Sequence, residues 1–430
     1  MKFTKMSLVA ALLVGSSAFA LENTKVSGDA NLFYSTSGQG KGNSVFDKDA
    51  SAADAALNLN VTTDLVKNDV VAVSAGAGYT VLSTLGLENN LVSNVWGSAH
   101  GATAPTGASY GSALGGAKVE NANWMNEAWI AATAGKTTAK IGRMELDTPL
   151  VFTEKWSIEK NTFEAAAVIN QDIPDTILVG AYVGNGNGTE NVGQDVNGTV
   201  FGYKLAAGAV VNQDGQFTTY GTDGAYALGV INNSYKPLTA QFWYYDLTRL
   251  ATAYWLQADL DASSLGAEGL TAGVQYSAQA LKNGNSLGVA NTDTSSVYAL
   301  MLGYEMKDVA TFKVAYSDVD KKGVLTAANT ATQSGASKLY TEAWWNYGYV
   351  TQHDTSSFML SAEGKVADVD LLAQYTNANT SAAGQKDLSE AALVASKSFG
   401  ALDTTAAYVY TKIGNGDAFS MIQAYLTLNF

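Results

Sequence analysis

The chain has 430 residues, with 39 acidic against 25 basic side chains, 47% hydrophobic residues and no cysteine, which excludes a disulfide framework, a zinc-thiolate site and a thiol nucleophile. So acidic a chain is a poor partner for nucleic acid. Length alone points to two or three soluble domains, but the pattern along the chain points to one large closed sheet.

Residues 1–20 carry Lys2 and Lys5, an apolar stretch over 7–14 and the small-x-small site Ala18-Phe19-Ala20, which reads as a secretory signal. The mature chain then begins at about Leu21. Without those two lysines, 23 basic residues face 39 acidic ones, a net charge of −16. No later run of 18 or more apolar residues occurs, so a helical membrane span is not expected.

Beyond the signal, segments of about ten residues alternate apolar and polar with period two, the pattern of strands whose two faces meet different environments. Leu57, Leu59 and Val61 alternate with Asn58, Asn60 and Thr62, and Phe312, Val314 and Tyr316 alternate with Thr311, Lys313 and Ser317. The polar positions are mostly Asn, Gln, Ser, Thr and Gly, with scattered charges at Asp259, Lys313, Glu363, Lys365 and Asp370. A soluble sandwich would carry many more charges on its outer face. An inside-out barrel fits better: its apolar face meets lipid, its polar face lines water, and those five charges belong to the pore wall. Closure satisfies every backbone hydrogen bond in lipid, and the 22 tyrosines and 8 tryptophans serve as interfacial girdles. A soluble secreted sandwich is the alternative.

Strands are predicted at 26–35, 54–63, 70–81, 124–133, 138–145, 163–170, 176–183, 225–233, 239–247, 252–261, 269–280, 295–306, 309–318, 356–366, 369–378, 387–399, 402–412 and 418–430. That makes 18, with 16 as the fallback, and the connections alternate long and short so that both termini lie on the periplasmic side. Two further strand-like runs, 199–211 and 339–350, are assigned to outer loops; in the wall they would raise the count to 20. Pro105, Pro149, Pro174 and Pro237 all fall in connections, as do the low-complexity runs 97–117 and 184–188.

The stretch 138–170 reads as a strand, a charged excursion and a returning strand. It gathers Arg143, Glu145, Asp147, Glu154, Lys155, Glu159, Lys160 and Glu164 in a chain that is otherwise 15% charged. These charges are expected to line a constriction, although composition alone fits a solvated loop as well. Leu150, Val151, Phe152, Trp156, Ile158 and Phe163 supply an apolar side that can pack on the inner wall. Arg143 shares the parity of Ile141, so it reaches the pore only if a bulge or strand end interrupts the strand near Gly142. Five carboxylates stand against three cations across 143–164, which predicts a weak preference for cations.

The chain ends on MIQAYLTLNF (421–430), with Ile422, Ala424, Leu426, Leu428 and Phe430 on one face. This resembles the terminal strand read by the outer-membrane barrel assembly machinery of Gram-negative bacteria. Together with GRMELDTPL at 142–150, NTFEAA at 161–166 and QDIPDT at 171–176, it makes the chain similar to the major outer-membrane porins of Campylobacter and related epsilonproteobacteria. The resemblance covers the signal, about 45 residues around the charged excursion and the last strand. It implies an 18-stranded trimeric barrel whose third loop folds into the lumen. Carried across, it puts Arg143, Glu145 and Asp147 at the mouth of the constriction and Glu154, Lys155, Glu159 and Lys160 along it.

Other chemistry finds little footing. The two histidines, His100 and His353, fall in outer loops, away from any wall serine, so no enzyme is expected. The glycine-rich run at 184–188 has no helix after it and fails as a phosphate cradle. Asp172 and Asp175 flank Pro174 in a turn that needs no ion. No cofactor is expected, although a divalent cation such as calcium near the acidic third loop stays open. Trp344, Trp345, Asn346 and Tyr347 read as packing or girdle in preference to a sugar platform. The function expected is an outer-membrane channel for ions and small hydrophilic solutes; the alternative is a surface adhesin or structural barrel with a closed lumen.

Overall fold

A computed structural model describes residues 22–38, 44–46, 51–83, 94–96, 102–103, 121–155, 158–188, 199–200, 203–204, 215, 217–221, 223–286, 288–331 and 335–430. The expected signal, Trp156, His100, Pro105, Gly107 and most of the runs 97–117 and 199–211 lie outside these residues.

Eighteen antiparallel strands close into a barrel. In chain order they are β1 (Glu22–Ser37), β2 (Ser51–Lys67), β3 (Ala72–Ser83), β4 (Asn121–Ala134), β5 (Thr137–Met144) and β6 (Phe163–Asn170). Next come β7 (Thr176–Gly186), β8 (Ala225–Asn232), β9 (Leu238–Leu247), β10 (Ala251–Asp261), β11 (Leu270–Leu281) and β12 (Ser295–Met306). The last six are β13 (Ala310–Val319), β14 (Thr355–Val366), β15 (Val369–Thr380), β16 (Leu388–Phe399), β17 (Leu402–Ile413) and β18 (Phe419–Asn429). Each pairs with its sequence neighbour, and β18 closes the ring on β1 from Asp29↔Asn429 to Ser37↔Met421. The seam continues through Phe430, whose N–H and carbonyl exchange hydrogen bonds with Gly28 at 3.0 and 2.8 Å.

The period-two pattern becomes two faces. On β12, Tyr298, Leu300, Leu302 and Tyr304 are 44–56% exposed on the outside, while Val297 and Ala299, of the opposite parity, are buried inside. Connections on the terminal rim are short, as at 135–136, 367–368 and 400–401. At 367–368, Ala367 (φ 49°) and Asp368 (φ 62°) both take the left-handed conformation that a two-residue hairpin turn of matching twist requires. The opposite rim carries the long connections, among them 145–162 and 320–354.

Every predicted strand lies in this wall, with three departures in detail. The run 184–188 was expected wholly in a connection, yet β7 extends to Gly186. Gly184 is the extra residue between the pairs Glu164↔Asn185 and Ala165↔Val183, a bulge that lets the strand continue. The run 339–350 lies outside the wall as expected, but as turns and a short 3-10 helix (Tyr347–Tyr349), and it lies inside the barrel. The third departure concerns tryptophan. Trp243 and Trp255, expected in girdles, point inward and are 4% and 0% exposed.

That inward placement has a physical cause. The inner face of β8–β12 is covered by two inserted loops, so Trp243, Tyr245, Leu247, Leu250 and Trp255 form one apolar cluster with Leu150 and Val151 of the third loop and Leu325 and Leu339 of the loop 320–354. Each buried indole N–H finds an acceptor two residues along its own strand: Trp243 donates to Gln241 at 2.8 Å and Trp255 to Gln257 at 3.1 Å. Gly229 sits against the Trp243 ring, where a Cβ would come within 2.6 Å of it.

Candidate functional site

The third loop, 145–162, leaves β5 and tightens at once. The Thr148 hydroxyl donates to the Val151 carbonyl at 2.7 Å, and Thr153 N–H to the Leu146 carbonyl at 2.7 Å. Its tip is then gripped by the loop 320–354. Asn329 accepts from Phe152 N–H at 3.1 Å and donates to the Phe152 carbonyl at 2.8 Å and to Glu154 Oε1 at 2.7 Å. Thr330 donates through both its N–H and its hydroxyl to the Leu150 carbonyl, at 3.0 and 2.9 Å. The returning arm crosses to β1–β3, where Ile158 packs with Phe33, Ala56, Leu82 and Trp124. It comes home through Thr162, whose hydroxyl donates to the Asn126 carbonyl at 2.7 Å.

The loop 320–354 is held to the inner wall by rungs on β11, β15 and β16. Gln275 of β11 donates to the Lys338 carbonyl at 2.8 Å and accepts from Tyr340 N–H at 3.1 Å. Gln374 of β15 donates to the Glu342 carbonyl at 2.8 Å. Glu390 of β16 accepts from the N–H groups of Trp345 and Asn346 at 2.9 and 3.0 Å. These wall side chains take the place of strand partners, which is why a strand-like sequence lies against the barrel without joining it.

Within this frame the eight charges expected at the constriction separate into three groups. Glu145, Asp147, Lys155 and Lys160 lie in the lumen as members of ion pairs. Lys160 bridges Glu145 and Glu127 of β4, the latter at 3.0 Å; Asp147 meets Lys338 at 2.8 Å; Lys155 meets Asp29 of β1 at 3.8 Å. Burial pulls the Lys160 ammonium down, but the hydrogen bond to Glu145 and the charge of Glu127 more than offset it and raise its pKa.

Glu154 and Glu159 form the second group and are buried in the seating of the loop. Glu154 takes the Asn329 amide. Glu159, 0% exposed, accepts from Asn58 of β2 at 3.3 Å. Burial pushes the Glu159 carboxyl up to about 8 against the opposing pull of Lys155 and Asn58, so it is protonated at neutral pH. Glu342 is pushed up to about 8 for the same reason, with Glu154 adding to the effect.

Arg143 and Glu164 form the third group, and for them the structure corrects the expectation. The pairs Ile141↔Ile130, Gly142↔Trp129 and Arg143↔Ala128 run without a shift, so the bulge that would have turned Arg143 inward is absent, although Gly142 itself has φ 126°. Arg143 and Glu164 pair at 3.0 Å on the outward face they share with Ile141 and Ala166, and Asn185 donates to Glu164 at 2.5 Å. The guanidinium lies 4.2 Å over the Phe217 ring.

The five charges expected on the pore wall all have inward parity. Lys313 pairs with Glu363 at 3.1 Å, Lys365 with Asp370 at 3.3 Å, and Asp259 accepts from the Tyr340 hydroxyl. Phe430 is 58% exposed, and its ring lies so close to Gly28 that a Cβ there would come within 2.7 Å of it. Among the described residues, no three carboxylate, histidine or cysteine groups converge to hold a metal. Sequence reasoning missed Asp29, Glu127, Asn329 and Lys338. Glu127 and Asp29 carried a signal, since each holds the inward parity of its strand; the other two sit in a loop whose partner lies far away in sequence.

A closed 18-strand antiparallel barrel with short turns on one rim, long connections on the other and loops folded into its lumen is the porin architecture. The chain is similar to solved porins of Pseudomonas. OccK1 (OpdK) of Pseudomonas aeruginosa superposes with a TM-score of 0.67 at 12% identity, over 95% of this chain and 99% of that one. A BenF-like porin from Pseudomonas fluorescens Pf-5 gives 0.68 at 11% identity, again over 95% and 99%. OpdQ of P. aeruginosa gives 0.65 at 11%, over 95% and 98%. No protein-family model matches the sequence, and no curated protein matches it. At such identities the likeness establishes the fold.

Proposed function

We propose that this chain is an outer-membrane porin, a water-filled channel for passive diffusion of ions and small hydrophilic solutes with a weak preference for cations. The observation that carries the reading is the pairing of an apolar outer face with a lumen whose inserted loops present ion pairs to water. A barrel with no traffic through it has no use for Glu145, Asp147 and Lys155 held open on an inner loop. Lipid on the outside requires closure, and a Gram-negative outer membrane is the bilayer that barrels of this kind inhabit. Conductance of the purified protein in planar bilayers tests the proposal: discrete ohmic steps in KCl support it, and their absence sinks it.

The charge balance supports the expected cation preference. Around the third loop Asp29, Glu127, Glu145, Asp147 and Glu154 face Lys155, Lys160, Lys338 and Lys140 of β5, an excess of one carboxylate. A larger excess lies lower in the lumen, toward the short-turn rim, where Glu305, Asp308 and Asp368 form no ion pair among the described residues. A closed structural barrel or adhesin is the second reading, favoured by the apolar cluster of Trp243, Tyr245 and Trp255 with Leu150 and Leu325, which fills one side of the lumen.

Membership among the major porins of Campylobacter and its relatives rests on the three matching segments and the terminal strand. The same resemblance carries the homotrimer, export by the leader at 1–20, and recognition of Phe430 by the barrel assembly machinery. A mass measurement in mild detergent decides the trimer.

A further inference from the structure

Below the loop 320–354, toward the short-turn rim, the lumen holds a cavity of about 950 Å3 with Trp344 in its lining. That volume lies at the upper end of the range, about 300–1,000 Å3, typical of small-molecule sites. The Trp344 side chain is fixed in place: its indole N–H donates to Gln423 at 3.4 Å, and the neighbouring backbone hangs from Glu390. Five carboxylates line the same cavity, Glu305, Asp308, Glu363, Asp368 and Asp370, against one lysine, Lys365. Glu363 is matched by Lys313 and Asp370 by Lys365. Glu305, Asp308 and Asp368 form no ion pair among the described residues.

An aromatic face and an excess of negative charge in one partly enclosed aqueous space favour a particular kind of solute. The indole quadrupole attracts a cation placed over the ring, most strongly a weakly hydrated one. Carboxylates in such a space act through a lower effective dielectric than bulk water. Potassium gains from the carboxylates but keeps its water shell and little of the ring. An anion is repelled by the carboxylates, and a neutral sugar gains the ring without the charge. An alkylated ammonium gains both.

We propose that this cavity is a transient subsite for small organic cations, with Trp344 as its aromatic wall and the unpaired carboxylates as its counter-charge. The proposal rests on the channel reading above. Single channels in planar bilayers with KCl on both sides, titrated with tetramethylammonium chloride from the short-turn side, test it. The expected result is a saturable, concentration-dependent block. Trp344→Ala should weaken the block by about three- to thirtyfold, the span that a cation–π contact covers between exposed and desolvated sites. Trp344→Phe should retain most of it, which separates loss of the ring from collapse of the loop. D308N combined with D368N should weaken the block in the same direction.

Normal KCl steps with no tetramethylammonium block, or with the same block in Trp344→Ala, overturn the subsite while leaving the channel intact. Glucose that relieves the block as effectively as it is produced assigns the cavity to neutral sugars and overturns it as well. A folded protein that passes no KCl overturns the channel reading itself, and with it a subsite for solutes in transit.

Discussion

Lys338 of one inserted loop reaches Asp147 of the other at 2.8 Å, with its ammonium 4.5 Å over the ring of Phe152. The two loops therefore form one body within the lumen, joined at a half-exposed ion pair and, more deeply, at Asn329. The exposed pair contributes little, about 0–1 kcal/mol. The buried amide contributes more, because its loss strands the Phe152 N–H and carbonyl, at about 1–3 kcal/mol for each polar group left unsatisfied.

The first expectation follows from that difference. Asn329→Ala should raise open-channel noise and expose the third loop to limited proteolysis, whereas Lys338→Ala should do so only slightly. Both variants should keep the barrel, as read by its heat-modified mobility on a gel. Equal behaviour of the two would show that the loops are not joined at Asn329.

A second concerns selectivity. Replacing Glu145 and Asp147 by Gln and Asn leaves Lys160 and Lys338 short of partners, so the reversal potential in a salt gradient should move toward anions. The shift should shrink at high salt, as the Debye length falls to about 3 Å at 1 M. Arg143→Gln with Glu164→Gln should leave the reversal potential where it was, because that pair lies on the outer face. A large shift from the outer pair would place it in the pore.

The buried carboxyls of the inserted loops predict a dependence on pH. Glu159 and Glu342 are raised from 4.5 to about 8 in the folded protein, so the folded state holds protons that the unseated loops release. Their contribution to seating is then fully present below about pH 4.5, falls as pH rises toward 8, and levels off above it. Proteolytic nicking of the third loop should increase across that window. Glu159→Gln should flatten the profile, and an unchanged profile in that variant would remove Glu159 as a cause.

The fourth concerns closure. Deleting Phe430 removes a hydrogen-bonded rung from the seam and the ring that lies over Gly28. Surface levels should fall far more than on deleting Gly107, which the sequence assigns to a low-complexity connection. Gly28→Val, which crowds both the Asn58 carbonyl and the Phe430 ring, should also lower them. Equal levels for the two deletions would refute a special role for the last residue.

The wall was legible because its signal is local. Period-two alternation, turn residues at the short connections and proline outside the strands are properties of ten-residue windows, and they determined 18 strands with both termini on one rim. The same alternation does not say what lies on the far side of each face. Trp243 and Trp255 alternate as girdle residues would, yet they point inward because Leu150 and Leu325 cover them, and those partners lie far away along the chain. The third loop was legible as a charged excursion. Its pairing was not, because Asp147 finds Lys338 and Lys155 finds Asp29 only after the barrel has closed and both loops have turned inward. Arg143 shows the limit most plainly. Its parity pointed outward, family likeness pointed inward, and the choice fell to whether the pairing broke at Gly142. The register runs through unbroken, and the backbone of β4 and β6 on either side of β5 holds it there.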